Sequence, residues 1–302
     1  MKILLRLLIA AAAIVPAVIF VTPVRLAAIA IARRSGGCSM AQSLDIPSHF
    51  KNETAIKDRI LAASKKIQAD DALELWETPY GPFWIPKGSQ YVLPFNLAEQ
   101  EMKIYGIGEM AVKPGDVVFD CGANIGVFIR ESLKAGAAKV IAVEPAPENI
   151  ECVRRNFKSE LESGKVVLVQ KGVWDKEDKL TLRIDPTNSA ADSFVIQTKD
   201  QTKTVEVPLT TLDKIATDLG LTKVDYIKMD IEGAEPNALR GAAETIRKFK
   251  PRLSISAYHA PDHPVLVPKI IRETRGDYKM ECGPCNELKG GFEVRPEILY
   301  FR

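Results

Sequence analysis

The sequence predicts an α/β domain, a mostly parallel sheet covered by helices on both faces. Three observations carry this. Short, fully apolar runs recur from residue 113 onward, helical stretches alternate with them, and glycine or acidic residues stand at their carboxyl ends. Strands buried on both faces read as continuous apolar runs because neither side meets water. A chain of 302 residues that is 46% hydrophobic and 26% charged can bury such a core, and it is neither disordered nor a multi-span membrane protein.

Taken in order, residues 1–34 form a hydrophobic segment. Leu7 to Val24 is broken only by Thr22 and two prolines, and as a helix it would reach roughly 27 Å, just short of a hydrocarbon core. The basic start at Lys2 and Arg6 and the small-residue site Ala28-Ile-Ala30 are signal-like, and the acid-poor, Ala-rich composition is transit-like. Arg25 falls between the apolar stretch and that site, so an uncleaved membrane anchor, kinked at Pro16 and Pro23, is the expectation. The alternative is a soluble protein starting at Met40. Arg33 and Arg34 oppose Lys2 and Arg6, so charge does not settle orientation. The first 44 residues carry five cations and no acid before Asp45, which leaves the rest at −3 against a total of +2. A body of that charge has no field to hold a nucleic-acid backbone, and none is expected as partner.

Residues 35–76 read as a polar and helical linker. Ile56, Ile60, Ala63, Ile67 and Leu75 predict an amphipathic helix over 55–75. The catalytic body is expected over 77–302. It opens with the Pro- and aromatic-rich stretch 78–86, which cannot be helical and reads as a lid or an apolar seal. Strands follow at 117–121, 140–143, 166–169, 224–229 and 253–258. Ile150, Val153 and Phe157 mark one intervening helix, and Leu239, Ala243 and Ile246 another. Between the third and fourth strands, 180–184, 193–198 and 204–208 alternate apolar with polar and predict an antiparallel insertion. The five cysteines are few, odd in number and mostly in apolar runs, which predicts a reducing compartment and not a disulfide scaffold.

The chemistry gathers at strand ends. The first strand closes in Asp120-Cys-Gly122-Ala-Asn124-Ile-Gly126, where the glycines let the backbone turn sharply against a ligand and Asp120 can accept its hydrogen bonds. The dinucleotide pattern G-x-G-x-x-G is absent. Glu144, at the second strand end, is placed to hold both hydroxyls of a ribose. Trp174 and Asp175, after the third, would stack on a nucleoside base and accept from its amino group. Asp230, Glu232 and Glu235 cluster after the fourth strand, with Glu235-Pro236 doubling as a helix start, and His259 after the fifth is a near-neutral base able to deprotonate a hydroxyl.

The D-x-G-x-N-x-G loop, Val143-Glu-Pro145, Thr211-Leu-Asp213, the run Ile227-Lys-Met-Asp-Ile-Glu-Gly-Ala-Glu235 with Leu239-Arg-Gly-Ala242, and Lys250-Pro251 together resemble the FkbM-type methyltransferases, from about Pro82 to the C terminus. That resemblance implies a Rossmann-like class I methyltransferase fold with a seven-stranded sheet whose last strand is antiparallel. It also implies S-adenosylmethionine as cofactor, held by Asp120 to Gly126 and Glu144, with Asp230 near the reacting centre and itself expected among the cofactor-binding residues, and most often an oxygen as acceptor. Leu253-Ser-Ile-Ser-Ala-Tyr-His259 departs from members that carry Glu near this strand end, so His259 and Asp230 both stand as the acceptor-side base.

The expected catalytic set is therefore Asp230, Glu232 and His259, acting on a small-molecule hydroxyl, a sugar or glycan first. Asp230 and Glu232 can hold magnesium, which the sequence does not require, and no metal-ligand set is assigned. Cys282-Gly-Pro-Cys285 lacks the context of a redox dithiol, and a zinc site from it with His259 and His263 lacks suitable spacing. Rival readings are a membrane-tethered, non-catalytic nucleoside-binding protein and a nicotinamide-dependent oxidoreductase. Because S-adenosylmethionine is kept inside cells, the body is expected to be cytoplasmic or to face the cytoplasm from a membrane.

Overall fold

A computed structural model describes residues 21–32, 36–185, 188–288 and 291–302. The expected anchor core at 7–20 lies outside the described residues. Its tail is a helix, α1 (Thr22–Ile31), opened by Pro23 at its first turn, where a missing N–H costs nothing. Leu26 and Ile29 on α1 are buried against Cys38, Ile46, Cys285 and Val294, and Arg25 pairs with Glu287 at 2.6 Å. Ala28-Ile-Ala30 thus lies inside a helix docked on the body. Among the described residues, no helix is long and apolar enough to cross a membrane.

The next helix, α2 (Met40–Ala63), starts earlier than hydrophobic spacing suggests. A capping box starts it: Ser39 Oγ accepts from the Gln42 N–H while Gln42 Oε1 accepts from the Ser39 N–H. The residues expected to continue the helix past 63 instead form β1 (Lys65–Ala69) and β2 (Leu73–Glu77). These make an antiparallel sheet with β3 (Phe83–Pro86). The aromatic-rich stretch acts as a seal: Phe83 and Ile85 are fully buried with Leu97, Ile125, Val127 and Cys152, and the Arg130 guanidinium lies 3.6 Å over the Phe83 ring. Helix α3 (Val92–Glu101) follows.

The main sheet takes β4 (Val117–Cys121), β5 (Lys139–Val143) and β6 (Val166–Val169), separated by α4 (Val127–Lys134), α5 (Pro147–Asn156) and α6 (Lys158–Glu162). The insertion comprises β7 (Gly172–Val173), β8 (Lys179–Ile184) and β9 (Lys203–Thr210). Strands β8 and β9 pair antiparallel as expected. The third expected segment contributes only a bridge from Ser193 to Arg183 and is otherwise loop. Beyond it come α7 (Leu212–Asp218), β10 (Tyr226–Met229), α8 (Glu235–Arg240), α9 (Ala243–Phe249), β11 (Arg252–Ser256) and α10 (His263–Thr274). The described chain closes with β12 (Met280–Cys282), β13 (Cys285–Leu288), β14 (Glu293–Pro296) and β15 (Ile298–Phe301).

The seven strands run in the order β12-β15-β11-β10-β4-β5-β6, parallel except that β15 is antiparallel to both neighbours. This is a Rossmann-like sheet with helices on both faces. Phe119, Ile141, Ile227 and Leu253 meet Leu212, Leu239, Ile246 and Ile271 on one side, while Val118, Val140 and Tyr226 meet Phe128, Ile129 and Val153 on the other. From β4 the chain builds outward in both directions, so the crevice between the carboxyl ends of β4 and β10 is where such sheets bind ligands.

The cysteines include one bonded pair, short of a disulfide scaffold. Cys38 and Cys285 form a disulfide, 247 residues apart in sequence. Spacing in sequence gave no sign of it, because α1 and α2 fold back to bring Cys38 beside the β13–β14 hairpin. Cys285 is therefore committed, and Cys282-Gly-Pro-Cys285 has no second thiol to offer a dithiol reaction or zinc.

Candidate active site

The segments that follow β4, β5, β6 and β10 converge on one cleft of about 850 Å³ including its open mouth, a size suited to a nucleoside-bearing ligand. Gly122, Asn124 and Glu144 line one wall and Lys228, Asp230 and Glu232 another. At Gly122 the backbone has φ +77°, and a Cβ there would lie 1.9 Å from the Asp230 carbonyl oxygen. Only glycine lets the β4 and β10 turns close to this distance.

Glu144 is almost wholly buried. Its Oε2 accepts from the Asn124 N–H at 2.8 Å and its Oε1 from the Ala146 N–H at 3.0 Å. Burial nevertheless pushes its carboxyl up to about 7. Asn124 and Asn149 both donate to the Ser189 carbonyl, at 2.8 and 3.0 Å, which fixes the loop over the cleft.

Asp120 does not line the cleft. It is fully buried at the end of β4, 3.3 Å from the Lys228 ammonium, which donates to the Gly122 carbonyl at 2.8 Å. Burial works to lower the Lys228 pKa, but the charges of Asp120 and Asp230 raise it and keep the ammonium charged. Asp120 thus braces the glycine loop from beneath. Gly126 caps α4 in the left-handed region at φ +94° and is also behind the loop. Trp174 and Asp175 lie outside the cleft: Asp175 is exposed, and Trp174 packs edge-on against Phe194 at 6.3 Å. Phe194 itself lines the cleft with Ser189, Ala190 and Asp192. The loop read as a strand in the sequence therefore supplies the wall expected of Trp174.

On the acceptor side, Asp230 Oδ2 accepts from the Tyr105 hydroxyl at 2.8 Å, whereas Oδ1 is buried without a hydrogen-bond partner. Burial would raise this carboxyl, but Lys228 and His259 hold it below its ordinary range. His259 Nδ1 lies 2.9 Å from Glu235 Oε1, and its Nε2 lies 3.3 Å from Glu232 Oε1 and 3.6 Å from Asp230 Oδ1. Despite burial, Glu235 and Glu232 raise the imidazole well above 6.5. Glu235 starts α8, as its Pro236 suggests, and also turns back to accept from the Ile231 N–H at 2.9 Å. Asp230, Glu232 and His259 each offer one ligand atom within 4.8 Å of the others, a grouping the sequence reading did not assign to a metal.

Sequence reasoning missed Tyr105, Asp192, Glu99 and Lys228. Lysine in the middle of an apolar strand was the one legible signal among them, since a buried ammonium needs a partner. Glu99 comes from α3 and Tyr105 and Asp192 from loops, segments whose approach to the sheet edge only the fold determines.

The Methyltransferase FkbM domain model matches residues 120–278, which is more than half of the chain. The chain belongs to this family. Among relatives of this FkbM-domain protein are 31-O-demethyl-FK506 methyltransferase FkbM of Streptomyces tacrolimicus, 28% identical over 160 residues (44% of this chain, 62% of the relative), and Methyltransferase sdnD of Sordaria araneosa, 27% identical over 169 residues (46% and 64%). The chain therefore spans less than two thirds of either relative. The solved structure of Methyltransferase FkbM from Methylobacillus flagellatus KT is 18% identical with a TM-score of 0.48, covering 85% of this chain and 60% of that one. A likeness that loose carries no argument about chemistry.

Proposed function

We propose that this FkbM-domain protein transfers the methyl group of S-adenosylmethionine to a hydroxyl oxygen of a small molecule, with a sugar or glycan hydroxyl as the first acceptor to try. The carrying observation is the convergence of the glycine loop, buried Glu144 and partner-free Asp230 Oδ1 on one cleft at the point where the strand order reverses. A ribose in that cleft would donate to Glu144, and the backbone at Gly122 allows the ligand to lie close. When bound, the cofactor supplies a sulfonium methyl.

Gly122, Asn124 and Glu144 would hold the cofactor, and it would supply a carbon open to in-line displacement by an acceptor oxygen, with sulfur keeping the electron pair and the hydroxyl proton passing to a base. This demands positioning, a proton acceptor and a dry site rather than a covalent nucleophile. Asp230 Oδ1 is the free proton acceptor at the site. His259 is held between Glu235 and Glu232, whose charges favour its protonated form while no cation is bound, so in the cation-free site the base role passes to Asp230. Tyr105 orients the Asp230 carboxylate, and the charge of Lys228 favours its ionised form.

Calorimetric titration of the full chain with S-adenosylmethionine, S-adenosylhomocysteine and NAD tests the reading. Selective binding of the two sulfur nucleosides supports it. Selective NAD binding would favour an oxidoreductase, and nucleoside binding with no turnover across an acceptor panel would favour the binding protein. We also place the domain in the cytoplasm, or facing it where residues 1–20 engage a membrane. The Cys38–Cys285 bond speaks against that placement, since cytosolic thiols are kept reduced. The thiol state in the native cell decides it: a bonded pair there would overturn the cytoplasmic assignment.

A further inference from the structure

We propose that Asp230, Glu232 and His259 form a binding site for a divalent first-row transition cation that receives the acceptor oxygen. Its place on the acceptor side rests on the transferase reading above; the coordination itself rests on geometry. Ligand atoms about 2.1 Å from a metal lie about 3.0 to 3.5 Å apart along the edges of an octahedron or tetrahedron. The separation from His259 Nε2 to Glu232 Oε1, 3.3 Å, falls at that spacing, and that to Asp230 Oδ1, 3.6 Å, lies just beyond it.

A second observation points to a ligand. The His259 side chain is only 2% exposed, and its Nε2 forms no hydrogen bond although two carboxylate oxygens stand beside it. Asp230 Oδ1 is buried and equally makes no hydrogen bond. An imidazole serving only as a salt-bridge partner would aim its N–H at one of these oxygens. The two orphan atoms instead face each other at 3.6 Å.

The surrounding groups are those that prepare ligands for a metal. Glu235 Oε1 holds His259 Nδ1 at 2.9 Å, a carboxylate–histidine pairing that fixes the ring and leaves Nε2 as the ligating nitrogen. The Tyr105 hydroxyl holds Asp230 Oδ2 and leaves Oδ1 for coordination. Glu232 is presented from φ +52°, a backbone region non-glycine residues seldom occupy, while Ser193 Oγ donates to its carbonyl at 2.7 Å. One imidazole with two carboxylates suits Mn²⁺, Fe²⁺, Co²⁺ or Zn²⁺ better than Mg²⁺, which prefers oxygen and retains its waters. Three protein ligands leave positions open for acceptor oxygens. A hydroxyl drawn onto the cation gives up its proton to water more readily, and Asp230 then acts as ligand in place of base.

Mn²⁺ alone is the probe, added to the full chain without nucleoside. The free-ion electron paramagnetic resonance signal should disappear until one equivalent is bound, and spin-echo spectra should show nitrogen modulation from an imidazole. His259→Gln should remove the modulation. It and Glu232→Gln should each weaken binding by about tenfold or more, and Glu235→Gln by about tenfold, with thermal melts showing that the variants fold. No uptake at millimolar Mn²⁺, or uptake without nitrogen modulation, overturns the site. A parallel S-adenosylhomocysteine titration separates the two readings: nucleoside binding without Mn²⁺ binding sinks the cation site alone, and site-specific Mn²⁺ binding without nucleoside binding sinks the cofactor assignment while sustaining the site.

Discussion

At Glu144, burial and function pull on one carboxyl. Its folded pKa of about 7 lies above the ordinary 4.5, so the folded state binds the extra proton. The stability it contributes is complete below about pH 4.5 and gone once pH has risen through about 7. Ribose hydroxyls donate to the ionised form, so S-adenosylhomocysteine affinity should strengthen from pH 6 to 8 and then level. Glu144→Gln should weaken binding about tenfold or more and flatten that profile. A wild-type profile with no inflection near 7 would remove Glu144 from the ribose. Asp230→Asn should lower kcat by about a hundredfold or more while nucleoside affinity stays within a few-fold, which single-turnover rates and calorimetry would separate. Both carboxylates were legible in the sequence because each directly follows an apolar strand. Asp120 was legible as a strand-end acid, but its burial beneath the loop was not: one residue along a strand reverses the face a side chain points to.

At the scale of elements, the β4 and β10 turns operate as a pair. Gly122→Ala would drive a methyl group into the Asp230 carbonyl, and it should abolish nucleoside binding and lower the melting temperature, with more than about 1 kcal/mol lost. Lys228→Met would leave Asp120 buried with no counter-charge, destabilising the fold by about 3–5 kcal/mol. Adding Asp120→Asn should recover much of that loss, as chemical denaturation would show. Failure of the second change to rescue the first would show that Lys228 stabilises the fold through Gly122 rather than through Asp120. The sheet strands were readable because burial on both faces leaves one continuous apolar run. The loop 188–198 was not, since Ser193 turns inward to hold the Glu232 carbonyl and Phe194 lines the cleft, with only a single bridge in place of a ladder of paired strands. The extended chain beyond Ala63 was misread as helix because Ile67 and Leu75 happen to continue a helical spacing.

Across the whole molecule, the amino-terminal helices belong with the carboxyl-terminal hairpin. The Cys38–Cys285 bond closes a loop of nearly the entire described chain, so reduction should cost up to about 5 kcal/mol if the two regions separate on unfolding. Melting with and without reductant, with peptide mapping of the bonded pair, measures this; equal melting temperatures would show that Leu26 and Ile29 hold α1 in place unaided. No local pattern announces such a pairing, since it depends on where two distant segments meet. The same bond bears on how the protein is prepared. A shortened chain beginning at Met40 would lose Cys38 and leave Cys285 unbonded three residues from Cys282, whose sulfur lies against Gly37 in the intact protein. Such a truncation would present a neighbouring thiol pair that the full chain never carries. It would be prone to air oxidation and to crosslinking between molecules, and a thiol assay on it would count chemistry made by the truncation itself.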